Sequence, residues 1–134
     1  MDLVGINSFF HDSSVALYRD GALLGALEEE RWFRDEKHTS RFPRRSLDWV
    51  LGACGGEPRH VAFGLSARAC LREGGLNRVA RRHFRAVRRA LREGQRGTRQ
   101  ALRAQGSACE PVFHEVAHHD AHAASAFFLS PCEE

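Results

Sequence analysis

Three short apolar runs within the first 27 residues constrain the fold of this chain more than any other feature. Leu3-Val4-Gly5-Ile6-Asn7 reads as a buried strand, Val15-Ala16-Leu17-Tyr18 as a second, and Ala22-Leu23-Leu24-Gly25-Ala26-Leu27 as a third. Arg19-Asp20-Gly21 is a hairpin turn of the Asp-Gly kind. Connections this tight leave no room for a crossover, so the three strands are expected to be antiparallel neighbours. The turn Phe9-Phe10-His11-Asp12-Ser13-Ser14 joins the first two strands and is polar enough to face a ligand.

The pattern then changes to alternating helix and strand. Pro43 to Cys54 reads as a helix: proline suits its start, Leu47, Val50, Leu51 and Cys54 form an apolar stripe, and Gly55-Gly56 stop it. His60-Val61-Ala62-Phe63-Gly64 is a fourth strand, expected to run parallel to one of the first three after a right-handed crossover. Glu110-Pro111-Val112-Phe113 is a fifth, leading into a histidine-rich helix.

Residues 65–105 interrupt this alternation and hold 12 Arg against 2 Glu, a net charge of +10 in a chain whose total is +3. Leu76, Val79, Phe84, Val87 and Leu91 recur near helical spacing, arginines fill the rest of the cylinder, and Gly94 and Gly97 are expected to end the helix. Such an Arg face can bind nucleic acid, but Phe84, its one aromatic, lies on the apolar side, so bases have no stacking platform. A solvated face, or one docking on an acidic partner, is the better reading, and nucleic acid is not expected as a partner. An apolar content of 43% in 134 residues suits one domain with a real core. With no apolar run near 18 residues and Asp2 where a signal peptide would be basic, neither export nor a membrane span is expected. Four well-separated cysteines read as reduced thiols of a cytoplasmic protein.

Four of the eight histidines fall between His114 and His122. His114/His118 and His118/His122 are each four apart, a spacing that on a helix lets two imidazoles reach one metal ion. His114-Glu115-Val116-Ala117-His118 is a literal H-E-x-x-H, the zincin signature. Its extended form fails, because Ala121 and Ala124 occupy the positions of the further Gly and His, and Pro111-Val112-Phe113 reads as strand and not as helix. Metal binding by His118 and His122 is the competing register.

That register carries a resemblance. His118-His119-Asp120-Ala121-His122-Ala123-Ala124-Ser125-Ala126-Phe127 resembles the H-H-x-x-H-A-x-S-A-F of the O-carbamoyltransferases that decorate nodulation factors and antibiotics such as tobramycin and the cephamycins. Gly5-Ile6, His11-Asp12-Ser13-Ser14 and Ala16-Leu17 match the opening of that family. Glu29-Glu30-Arg31-Trp32-Phe33-Arg34, Lys37-His38 and Phe42-Pro43 match a later stretch, with one extra residue between Arg34 and Lys37. The resemblance implies an α/β, ribonuclease-H-like half-domain of the actin/Hsp70-type ATPases: three antiparallel strands, then alternating helices and strands. It implies His118 and His122 as ligands of a divalent metal, usually iron, with zinc or manganese possible, and a third, acidic ligand from much later in the family's chain, for which Glu133 is a conceivable substitute here. It implies His11 in carbamoyl transfer, and Asp12, Arg31, Arg34, Lys37 and His38 as substrate-binding residues. A neutral imidazole suits the His11 role, since its unperturbed pKa allows proton exchange near pH 7.

The activity so implied is transfer of a carbamoyl group, carried as carbamoyladenylate made from carbamoyl phosphate and ATP, to a hydroxyl of a small-molecule or glycan acceptor. No Gly-rich phosphate loop is present, so the chain is expected to be half of a split enzyme, a remnant or a truncated product, inactive without a second chain that carries the missing half. The alternative from another class is a non-catalytic metal- or partner-binding module.

Overall fold

The computed structural model describes residues 1–10, 12–33, 37–54, 57–74 and 78–128. Strand β1 (Asp2–Asn7) pairs antiparallel with β2 (Ser14–Arg19), which pairs antiparallel with β3 (Ala22–Glu28). Asp20 and Gly21 both have positive φ, 50° and 87°, as the primed hairpin turn between these strands requires. A short 3-10 turn (Glu29–Trp32) leads towards helix α1 (Arg44–Cys54), and β4 (His60–Phe63) then runs parallel to β1. Helices α2 (Ala67–Gly74) and α3 (Arg78–Ala104) follow, then β5 (Val112–Glu115), parallel to β4, and α4 (His118–Phe128). The result is a five-stranded mixed sheet in the order β3-β2-β1-β4-β5. Strand β5 ends at Glu115, beyond the expected Phe113, so His114 and Glu115 belong to the sheet.

Alternation along the strands sorts side chains to two faces. Val4, Ile6, Val15, Leu17, Val61 and Phe63 pack with Leu47, Val50 and Leu51 of α1 and with Val87, Leu91, Ala101 and Leu102 of α3 in one core. Leu47, Val50 and Leu51 of the apolar stripe read for α1 are therefore on its buried face. The opposite face carries Gly5, Ala16 and Ala62, aligned across three strands by the β1–β2 and β1–β4 registers.

Helix α3 does not stop at Gly94 or Gly97; it runs through both to Ala104. A glycine inside a helix costs roughly 1 kcal/mol against alanine, and here close packing accounts for it. A Cβ at Gly94 would lie 2.6 Å from Cε1 of Phe63, and one at Gly97 would lie 2.6 Å from Cε1 of Phe42. The two glycines are seats for rings. Val79, expected on the apolar stripe, is 77% exposed, because α3 meets the core only from Ala80 onward. Leu76 lies outside the described residues. Arg81, Arg82, Arg85, Arg88, Arg89 and Arg92 are all exposed. Among the described residues no helix is long and apolar enough to cross a membrane.

Candidate functional site

The three parallel strands β1, β4 and β5 all end at one edge of the sheet, the place where open α/β sheets hold ligands. From β5 the chain passes through Val116, whose amide donates to the Phe63 carbonyl at 2.9 Å, and enters α4 at His118. One helical turn separates His118 from His122. Their Nε2 atoms are 3.0 Å apart, with ring centroids at 4.4 Å and the planes nearly perpendicular. His118 is half-buried, and His122 is exposed.

His114 is not part of this pair. It sits on β5, and its Nε2 lies 3.0 Å from Nδ1 of His60 on the neighbouring strand. The His114/His118 spacing thus spans strand, turn and helix, and the single-helix reading of it does not hold. Glu115 has a different role from that of a base: its Oε2 accepts the Ala67 amide at 2.9 Å, satisfying a donor at the start of α2. The zincin register has neither its helix nor its glutamate.

The His118/His122 donors suit a divalent metal. Each imidazole nitrogen binds zinc at about 2.0–2.1 Å, so two nitrogens on one ion lie within about 4.2 Å of each other. A separation of 3.0 Å satisfies that limit. Two imidazole nitrogens fit zinc or iron better than manganese, calcium or magnesium, which favour oxygen. The same distance also suits a hydrogen bond from one neutral ring to the other.

A second cluster lies where the β1–β2 turn meets the loop after the 3-10 turn. Asp12 Oδ1 is 2.7 Å from His38 Nδ1, and Glu30 Oε2 accepts the His38 amide at 2.7 Å. Ligand atoms of Asp12, Glu30 and His38 all fall within 4.8 Å of one another. Asp12 and His38 both have left-handed backbones, φ 49° and 56°. Outside glycine such conformations cost roughly 1–2 kcal/mol each, and they persist only where the surroundings over-determine them. Here two loops are laced together. The Ser13 amide and hydroxyl both donate to the Thr39 carbonyl at 3.0 Å, the same hydroxyl lies 2.6 Å from the Arg41 carbonyl, and the Phe9 amide donates to the Ser40 carbonyl at 3.0 Å. Beneath them the buried Glu29 accepts the Arg45 and Ser46 amides at the start of α1. The Asp12 hydrogen bond, and then its negative charge, raises the His38 pKa above the ordinary 6.5.

The structure thus brings Asp12 and His38 together and adds Glu30, which the sequence placed in a matched stretch without a role at the site. Arg31 pairs with Glu28 at 2.9 Å, and Lys37 is exposed beside His38. His11, Arg34 and Glu133 lie outside the described residues. Asn7, at the end of β1, was not anticipated. It donates to the Asp12 carbonyl at 3.0 Å and borders two clefts that His118 also lines. Nothing in the chain singles out this asparagine before the sheet places it.

Residues 2–67 match the family described as carbamoyltransferase N-terminus. An uncharacterised protein of Synechocystis sp., sll1178, is 32% identical over a 149-position alignment that takes in 98% of this chain and 24% of that protein. Nodulation protein NolNO of Sinorhizobium fredii is 45% identical over 49 residues, covering 37% of this chain and 7% of that one. A 19.2 kDa protein of Rhizobium etli is 41% identical over 49 residues, or 28% of its length. The chain spans about a quarter of the Synechocystis relative. His118 and His122 lie beyond the segment matched by the family, while Asp12, Glu30 and His38 lie within it. Through residues 2–67, just under half of its length, the chain resembles the carbamoyltransferase N-terminal family.

Proposed function

We propose that this chain forms the N-terminal part of an O-carbamoyltransferase, with a ribonuclease-H-like core and its working edge at the ends of β1, β4 and β5. The observation that carries the reading is the placement of two unlike polar clusters at one edge of the sheet: the His118/His122 pair after β5, and Asp12, Glu30 and His38 around the loop after β1, with β4 between the two strands. The strand order, with β1 central between an antiparallel hairpin and two parallel strands, supports the half-domain assignment.

In this reading the acceptor hydroxyl oxygen attacks the carbonyl carbon of carbamoyladenylate. A new C–O bond forms, and the bond from that carbon to the phosphate oxygen breaks. Its electron pair leaves with AMP, and the hydroxyl proton passes to His11. His118 and His122 would hold a divalent ion, which when bound supplies Lewis acidity towards oxygen. Asp12 and His38, with Arg31, Arg34 and Lys37, bind the substrate, where the cations complement phosphate and carbamoyl oxygens. The loops that grip the nucleotide, and an acidic third ligand, come from a second chain or half-domain, and the protein works in the cytoplasm.

Metal titration and turnover with carbamoyl phosphate and ATP test this. The purified chain is expected to bind metal weakly, to lose it in His118→Ala and His122→Ala, and to keep it in His114→Ala. Alone it is expected to bind no ATP and transfer no carbamoyl group; activity should need the remainder of a relative such as the Synechocystis protein, supplied in trans. Tight ATP binding by this chain alone, or metal loss in His114→Ala with retention in His122→Ala, would overturn the assignment.

A further inference from the structure

A cleft of about 300 Å³ opens beside His118 and is lined by Asn7, Phe10, Leu65, Ser66, Ala69, Cys70, His83, Val87, His118 and His119. Its volume is at the lower end of ligand pockets, which run from about 300 to 1,000 Å³. At roughly 30 Å³ per water, it holds about ten waters or one substituted ring. Its wall has two chemical halves. Phe10, Leu65, Ala69, Cys70 and Val87 make a surface that is mostly carbon, while Asn7, His118 and His119 bring polar atoms from the strand-end edge. Phe10 packs against His83 of α3, with ring centroids 5.6 Å apart and the planes tilted by 42°, which joins the β1 loop to the helical segment.

We propose that this cleft holds the apolar body of the hydroxyl-bearing acceptor, with the hydroxyl directed towards His118. The chemistry at the mouth rests on the carbamoyl-transfer reading; the shape rests on the cleft alone. Three arguments favour a compact, largely apolar acceptor over a bare sugar. A polyhydroxylated ring would have to leave most of its hydroxyls unpaired against carbon, losing their hydrogen bonds to water without replacement. Removing carbon surface from water is favourable, so a hydrocarbon ring gains over the same surface. Asn7, His118 and His119 also gather at one end, with Ser66 and His83 the remaining polar lining and His83 packed on the Phe10 ring, which orients a molecule with a single polar end. Ala69, Cys70, His83 and Val87 come from α2 and α3, beyond the segment that the family matches. On this assignment the Arg-rich segment has an inner, specificity-determining wall as well as its exposed cationic face.

Alkylation of Cys70 by iodoacetamide, read by peptide mass spectrometry, tests the cleft without requiring turnover. Benzyl alcohol, one ring with one hydroxyl, is the probe, and glucose at equal concentration is the polyhydroxylated control. Protection follows 1 + [L]/Kd, so benzyl alcohol at four times its Kd should slow Cys70 about fivefold. Glucose should leave Cys70 unchanged, and neither compound should alter Cys109, which lies outside the cleft. Ala69→Leu fills the cleft and should abolish protection. Should that variant fail to fold, Phe10→Ala, at a position 44% exposed, opens the wall and should weaken protection. Protection by glucose equal to that by benzyl alcohol, no protection of the folded wild type by benzyl alcohol, or full protection surviving either folded variant would overturn the proposal. Metal titration on the same sample separates the two ideas: metal binding without protection removes the cleft, whereas protection without metal binding removes the transfer reading and keeps it.

Discussion

The two polar clusters at the sheet edge are built in opposite ways. His118 and His122 are one turn apart on a regular helix, so their 3.0 Å approach follows from the helical repeat and the direction in which α4 leaves β5. Asp12, Glu30 and His38 are far apart in sequence, sit on loops, and meet only because two left-handed residues and a lattice of loop hydrogen bonds hold them. A pair made by a helix is local and tolerates distant change. A cluster made by loops is only as firm as its scaffold, and adjusts more readily when a ligand arrives.

The largest test of that contrast is Glu29→Ala. The Glu29 carboxylate is buried and accepts two amides at the start of α1, while its own amide donates to the Ser13 carbonyl. Removing the carboxylate leaves donors without partners and should cost about 2–4 kcal/mol in urea unfolding. It should also loosen the adjoining Glu30 and broaden the His38 resonances, while His118 and His122 stay paired. Equal disturbance of both clusters would mean that the edge behaves as one unit.

Gly94→Ala should do the converse at smaller cost. The added methyl meets the Phe63 ring, which is 1% exposed and stacked on Phe113 at 6.0 Å. Overpacking of this kind costs about 1–3 kcal/mol. Because Phe63 also accepts the Val116 amide, the strain is directed to the approach to α4. Chemical shifts of His118 and His122 should move more than those of His38. A neutral or stabilising Gly94→Ala would show that Phe63 has room to retreat, and would remove the packing explanation for glycine in α3.

The same contrast accounts for what could be read in advance. The hairpin, the stripe of α1 and the His118/His122 pair are local patterns, recorded in spacing and turn residues. The continuation of α3 through Gly94 and Gly97 is not, because the reason lies in Phe63 and Phe42, more than thirty residues and more than fifty residues away in sequence respectively. Asp12 and His38 could each be named from motif, but their contact could not, since no periodicity links two loops 26 residues apart. Glu30 escaped for the same reason. The β5 boundary was misplaced because Val112 to Glu115 alternates on an edge strand with little buried surface to mark it.

The smallest expected effect is the most specific to the loop cluster. His38 is fully exposed, so its pairing with Asp12 is screened by water and adds little to stability, but it sets a titration. The Asp12 hydrogen bond favours the protonated imidazole and raises its pKa above 6.5 in the folded protein, with Glu30 adding to the rise and Lys37 opposing it. The sign follows from linkage: a raised histidine pKa stabilises the folded state fully below the unfolded value, and the benefit is lost as pH rises through the folded pKa. The Asp12–His38 contact is therefore firm in mildly acidic solution and weakens above 6.5, where a neutral His38 makes only an ordinary hydrogen bond. In an NMR titration the His38 ring should titrate above 6.5 in the wild type and return towards 6.5 in Asp12→Asn, with a smaller fall in Glu30→Gln. A wild-type value at or below 6.5 would mean that the two loops do not hold the carboxylate against the ring in solution. The loop cluster would then be assembled by its ligand, in contrast to a histidine pair already formed by its helix.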